Sequence, residues 1–216
     1  MVIGIYGSGG MGKEIYDMFF TSTENMYDEA VFIDDVTDKE HVYGCPVLNY
    51  RAFIKKFPPP SAEIVIAQGE PKARRILFEK VTADGYNLPS LIHKSSQISS
   101  SAQIGRGVVI ECNCVVSTNA VLADNVCILA HSIIGHDCVV GEHSQISSMV
   151  ATGGGAEIGK ECFVGMQASI SNKICIGNCS IISQAAAVMR DVPEDVIAMG
   201  NPARVIRKNE EHRVFK

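Results

Sequence analysis

From Ile98 onward the chain keeps a six-residue register. Stepping by six from Ile98 to Val188 meets an aliphatic side chain at fifteen of sixteen positions, and the single exception is Thr152. Four residues after each of these comes a second set, Ala102, Val108, Cys114, Ala120 and so on to Val192, most of them small. An amphipathic helix would repeat its apolar face every 3.6 residues and a half-buried strand every two, so neither stays in phase over this length. A six-residue period with one large aliphatic and one small residue per repeat predicts a parallel β-helix: short strands form the faces of a triangular prism, the aliphatic fills the interior and the small residue fits the corner. Glycine follows the aliphatic at Gly105, Gly135, Gly141, Gly159, Gly165 and Gly177, where the backbone is expected to turn.

The first ninety residues have another rhythm. Apolar runs at 2–6, 30–33 and 64–67 predict buried strands, and segments 13–19 and 72–82 predict helices. Between the first strand and first helix lies Gly7-Ser8-Gly9-Gly10-Met11-Gly12, a GxGxxG match, and the second strand ends in Asp34-Asp35 about twenty residues later. Glycine-loop amides and a helix N-terminus suit phosphate, and an acid at that distance suits ribose or base. A full dinucleotide fold needs two such halves, and only one fits before the repeats begin. The expected architecture is a small α/β half-Rossmann domain over residues 1–92, taking a mononucleotide through Gly7, Gly9, Gly10, Asp34 and Asp35, followed by a β-helix domain over 93–216.

Composition narrows the partners. Net charge is −5 and no lysine-arginine run exceeds two, which argues against nucleic acid or an anionic membrane surface and for small molecules. The opening MVIGIYGSGG has neither a basic leader nor a cleavage site, and no apolar stretch reaches the roughly 18 to 20 residues of a membrane span. Eight cysteines form no CxxC pair, and Cys114, Cys138 and Cys162 occupy the small-residue slots, so reduced, structural thiols in a cytoplasmic protein are expected.

The motifs GSGGMGKE, FIDD, IGHDCVVGE and GNPAR, spread over the whole chain, resemble the hexapeptide-repeat acyltransferases. They are most similar to the family of sialic acid O-acetyltransferases and N-acetyltransferases of UDP-, GDP- or dTDP-linked 4-amino sugars. The resemblance implies a left-handed β-helix with three hexads per coil, a homotrimer, acetyl-CoA as co-substrate and a nucleotide sugar held by the N-terminal domain. Many members carry histidine where this chain has Met11.

By the same resemblance, His136 is the general base and Asp137 orients and polarises it. Neighbours on a strand point apart, so that pair requires a corner. Coil arithmetic bears on the oxyanion donor: Gly154 follows His136 by three hexads, one full coil, which predicts an open layer over the histidine, and the Gly153-Gly154-Gly155 run can present amides to a thioester carbonyl. Gln145 stands where many members have a second histidine and is expected to donate a hydrogen bond near the cofactor. Asn201, Pro202 and Arg204, with Arg207 and Lys208, are expected beside CoA and its phosphates. His131 and His136 resemble the zinc pair of a γ-class carbonic anhydrase β-helix, but the third histidine that this likeness implies is missing, since two coils earlier is Ser95 and His93 is out of register, so no metal is expected in this chain. N-acetylation of a 4-amino-sugar nucleotide is the leading expectation; O-acetylation of sialic acid or a capsule sugar uses the same base and donor and stays open.

Overall fold

The computed structural model describes residues 1–21 and 27–215. Of these, residues 1–21, 27–69 and 76–90 form one compact unit and residues 70–75 and 91–215 a second.

In the first unit, β1 (Val2–Tyr6), β2 (Glu29–Ile33), β3 (His41–Val42), β4 (Cys45–Leu48) and β5 (Ala62–Ile66) make one sheet in the order β3-β4-β2-β1-β5. The central β1 pairs in parallel with β2 and β5, and only β3 runs antiparallel. β5 begins two residues earlier than its apolar run because Glu63 is absorbed within it, its carboxylate accepting from the Tyr27 hydroxyl and the Asn87 amide. The helices are α1 (Gly10–Phe20) and α2 (Tyr50–Lys56), both in this unit, and α3 (Pro71–Ala83), whose residues from 76 on belong to it. Helix α2 has no counterpart among the expected elements, although its signal is local: Asn49 Oδ1 accepts from Ala52 N at 2.8 Å, an ordinary N-cap.

The second unit consists of two-residue strands in three parallel sheets, each strand paired with the one three hexads away: Val115 with Ile133, Val121 with Val139, Cys127 with Gln145. The coils begin at Leu91–Ile92, which pairs with Val109–Ile110, one hexad before Ile98. At the far end Val196–Met199 lies against Ile181–Ile182, residue 197 facing 181, and the antiparallel strand Arg204–Lys208 closes the edge. Aliphatic and small positions fill one continuous core, in which Cys114, Cys138 and Cys162 are buried. Burial pushes the Cys162 thiol up to about 12, which suits a structural role.

The turns are made differently from the expectation. Every sixth residue from Gly107 to Ala185, three places after each aliphatic, has a φ between 52° and 67°. The glycines directly after the aliphatics serve close approach instead: a Cβ on Gly105 would stand 2.7 Å from the Ala123 carbonyl carbon, and one on Gly141 2.6 Å from that of Gly159. No helix among the described residues is long and apolar enough to cross a membrane.

Candidate active site

His136 and Asp137 occupy a corner between strands Ile133–Ile134 and Val139–Val140. Asp137 is one of the left-handed residues, φ 58°, and this bend lets two neighbouring side chains meet: His136 Nδ1 lies 2.7 Å from Asp137 Oδ2. Asn119, one coil earlier and also left-handed, donates from Nδ2 to Asp137 Oδ1 at 3.1 Å. Hydrogen bonds from His136 and Asn119 hold the Asp137 carboxyl below the usual range, so it is ionised at neutral pH. With Nδ1–H assigned toward that carboxylate, Nε2 carries the free lone pair, the arrangement a general base requires.

Gly154 lies against this histidine, but the layer is not open. A Cβ on Gly154 would collide with Nε2 and Cε1 of His136, so the imidazole itself fills the space the missing side chain leaves. Two of the three glycine amides are already used between coils, Gly155 N donating to His136 O at 2.8 Å and Gly153 N to Ile170 O at 2.7 Å. Among the described residues the Gly154 N–H has no acceptor, and Gly154 as a whole is partly exposed.

The one break in the aliphatic register falls here as well. Gly135 N donates to Thr152 Oγ1 at 2.9 Å, where Gly141 N donates to the Ile158 carbonyl at 2.8 Å. Thr152 Oγ1 is 3.3 Å from Cys138 Sγ, which reaches Gly153 O at 3.1 Å. These bonds join the His136 corner to the Gly154 corner. Sequence reasoning misses Asn119 although it satisfies the same coil arithmetic, and Thr152 is visible only as an exception.

In the first unit the six-residue glycine motif divides by function. Gly7 has φ 124° and a Cβ there would meet the Ala67 carbonyl; a Cβ on Gly12 would meet the Gly7 carbonyl. Gly9 and Gly10, at the start of α1, have nothing within 4 Å of an added Cβ, and Gly9 caps the helix with no side chain. Packing explains the first pair and leaves the second to keep the helix N-terminus accessible.

The two acids are less available than their spacing suggests. Asp34 accepts from Ser8 N and Ser8 Oγ at one oxygen, and from Val36 N at 3.0 Å and Thr37 N at 3.1 Å at the other. Burial would raise its pKa, but these bonds outweigh it and hold the carboxyl below its ordinary value. Asp35 accepts from Tyr6 Oη at 2.6 Å and Tyr50 N at 2.8 Å, with Lys80 Nζ at 3.6 Å. Asp34 therefore organises the loop around Ser8, and Asp35 keeps only its partly exposed, lysine-flanked edge for a ligand.

Residues 2–81 match the PglD N-terminal domain family, and residues 86–197 match the GMPPB C-terminal domain family. Among solved structures, the acetyltransferase domain of PglB from Neisseria gonorrhoeae FA1090 is 30% identical, with 95% of this chain and 99% of that chain covered and a TM-score of 0.89. The chain belongs to the hexapeptide-repeat acetyltransferases. WeeI from Acinetobacter baumannii AYE is 26% identical over 95% of this chain and 99% of that one, TM-score 0.78. PerB from Caulobacter crescentus, solved with CoA and GDP-perosamine, shares the fold at 24% identity, 95% and 97% coverage and TM-score 0.86. The left-handed parallel β-helix expected from the resemblance is the fold of this family.

Within this acetyltransferase frame, Gln145 departs from expectation. It is 3% exposed on the strand between Cys127 and Phe163, and its Oε1 has no hydrogen-bond partner among the described residues. That Oε1 is buried, so the amide oxygen is left without a partner inside the unit. Asn201, Pro202 and Arg204 are at the surface around the turn into Arg204–Lys208; Arg204 Nη1 donates to Ala203 O at 2.9 Å, and Arg207 and Lys208 are exposed. They share no hydrogen bond with His136.

Proposed function

We propose that the chain transfers the acetyl group of acetyl-CoA directly to the amine of a nucleotide-linked 4-amino sugar. The observation that carries this reading is the corner in which His136, oriented by Asp137, lies against the one unengaged amide of the triglycine run, Gly154. His136 Nε2 takes the proton from the attacking amine, Asp137 steadies the imidazolium that forms, and the Gly154 N–H donates to the oxyanion of the thioester carbonyl. Collapse of that intermediate expels the CoA thiolate, and no acyl-enzyme is formed. The PglB domain has been solved with acetyl coenzyme A, which supports the donor. Gly9, Gly10 and the Asp35 edge support a nucleotide phosphate and sugar in the N-terminal unit, and exposed Arg204, Arg207 and Lys208, next to Asn201 and Pro202, suit the phosphates of CoA.

Ile133 and Val139, on the two strands flanking the His136 corner, are 47% and 40% exposed. A homotrimer packing a second copy over such apolar positions would exclude water from the reacting atoms; light scattering should give three times the 23.3 kDa chain mass.

The test is to supply acetyl-CoA with a panel of UDP-, GDP- and dTDP-4-amino-4,6-dideoxysugars and follow thiol release. Turnover with one sugar supports the reading and identifies the nucleotide. Silence across the panel with acetyl-CoA binding intact overturns N-acetylation, and an acetylated cysteine seen by intact mass overturns direct transfer.

A further inference from the structure

Away from the acetyl-transfer corner, three chemically different donors converge at the closing end of the β-helix unit. Cys179 Sγ, an Asp195 carboxylate oxygen and a His212 ring nitrogen all lie within 4.8 Å of one another, and His212 Nε2 is 3.2 Å from Asp195 Oδ1. From this geometry we infer that Cys179, Asp195 and His212 form a binding site for a single zinc ion that fastens the C-terminal segment to the last coil.

The scaffold is held by backbone rather than by the donors. All three residues have left-handed φ values, 56°, 55° and 48°, so each side chain leaves the chain at a tight turn. Cys179 N donates to Lys160 O at 2.8 Å and Asp195 N to Asn178 O at 2.9 Å, which fixes both in the coil-to-coil ladder. Asn209, 4% exposed, ties the tail to both: its Nδ2 donates to Cys179 O at 2.7 Å, its N–H to Asp195 O at 2.7 Å, and its own carbonyl accepts from His212 N at 3.2 Å. These bonds bring three donors well separated in sequence together without using the donors' side chains, and the His212–Asp195 side-chain contact adds to them.

The donor set selects the ion. Sulfur, imidazole and carboxylate in one place match zinc better than calcium or magnesium, which take oxygen. A thiolate and a carboxylate together neutralise a divalent charge, and water supplies the fourth position. Donors around a tetrahedral zinc stand roughly 3.2 to 3.7 Å apart, so the imidazole and carboxylate, 3.2 Å apart, are already at that spacing and the thiol, within 4.8 Å of both, needs only a small side-chain movement to join them. Burial, with Glu161, Asp195 and Glu194 nearby, pushes the Cys179 thiol up to about 11, while Arg75 opposes that; a bound cation reverses this field and releases the thiol proton to solvent as the metal–sulfur bond forms.

Cobalt(II) is the probe. Added to the full chain after chelator dialysis under reducing conditions, one equivalent should produce the thiolate-to-cobalt charge-transfer band and the visible bands of tetrahedral coordination, and zinc should erase both. Cys179→Ser should abolish the charge-transfer band although seven other cysteines remain, and Asp195→Asn and His212→Ala should each weaken binding at least tenfold. Zinc should raise the melting temperature of the parent chain and leave that of Cys179→Ser unchanged, with the metal-free chains melting alike. The site is refuted by a parent chain that gives no charge-transfer band, by a band that survives Cys179→Ser, or by unchanged affinity in the Asp195 and His212 variants.

Discussion

The two units place their polar groups by different means. In the β-helix, a residue's neighbours follow from its number: three hexads earlier or later stands the side chain on the adjacent coil, so Asn119, Asp137 and Gly155 form one column and His136 and Gly154 another. In the α/β unit, Asp34 and Asp35 owe their partners to Ser8, Tyr6, Tyr50 and Lys80, contacts between separate parts of the chain that no periodicity announces. A repeat converts long-range structure into local arithmetic, whereas an open sheet leaves the use of each acid to packing.

That contrast is sharpest at the histidine corner, where substitutions should act on rate and leave the fold alone. His136 is 65% exposed, so His136→Ala should lower kcat by about a hundredfold to ten-thousandfold with the melting temperature unchanged, as measured by thiol release and thermal denaturation. Gly154→Ala drives a methyl into the imidazole and should cost about a hundredfold to a thousandfold in kcat, while acetyl-CoA affinity moves far less. Normal turnover in either variant would detach catalysis from this corner.

In the glycine motif the same kind of substitution should separate packing from ligand. Gly7→Ala forces a side chain at φ 124° against the Ala67 carbonyl and should destabilise the unit by about 1–3 kcal/mol in urea unfolding. Gly9→Ala meets open space and should change stability by only about 0.5 kcal/mol, yet weaken nucleotide-sugar binding measured by calorimetry. If Gly9→Ala binds as well as the parent, the loop is only a turn.

Smaller effects belong to the supporting hydrogen bonds. Asn119→Ala removes one of two donors to Asp137; the carboxylate pKa rises toward its ordinary value yet stays far below neutral, so kcat at pH 7 should fall only a few-fold. Asp34 has a depressed folded-state pKa, so its stabilisation is present above about pH 4 and lost as pH falls through the folded value. Asp34→Asn should therefore melt below the parent at pH 7, and the gap should narrow toward pH 3.

How far the chain can be read follows the same division. The strand positions from Ile98 to Val188 are legible because one aliphatic per hexad must point inward in every coil. The turn chemistry reads one step wrong: the pattern assigns the turns to glycines after the aliphatics, but the residues three places after the aliphatics adopt the left-handed conformation, Asn113, Asn119, Asn125 and Asp137 among them but Met149, Lys173 and Ala185 as well, so the coil geometry imposes it whatever the side chain. Gln145 is legible as a position and not as an environment, because period six says which way a residue faces and nothing about what covers that face.

By itself the sequence determined the coil register, the pairing of His136 with Gly154 on adjacent coils, and a glycine motif leading into a helix, since each depends on spacing along the chain. Tertiary structure alone decided that the imidazole fills the Gly154 gap, that Asp34 is consumed by Ser8, Val36 and Thr37, and that Cys179, Asp195 and His212 meet. The physical reason is that spacing fixes where a backbone goes, while the partner a polar group finds depends on every other donor and acceptor within about 3 Å, a distance that sequence does not measure.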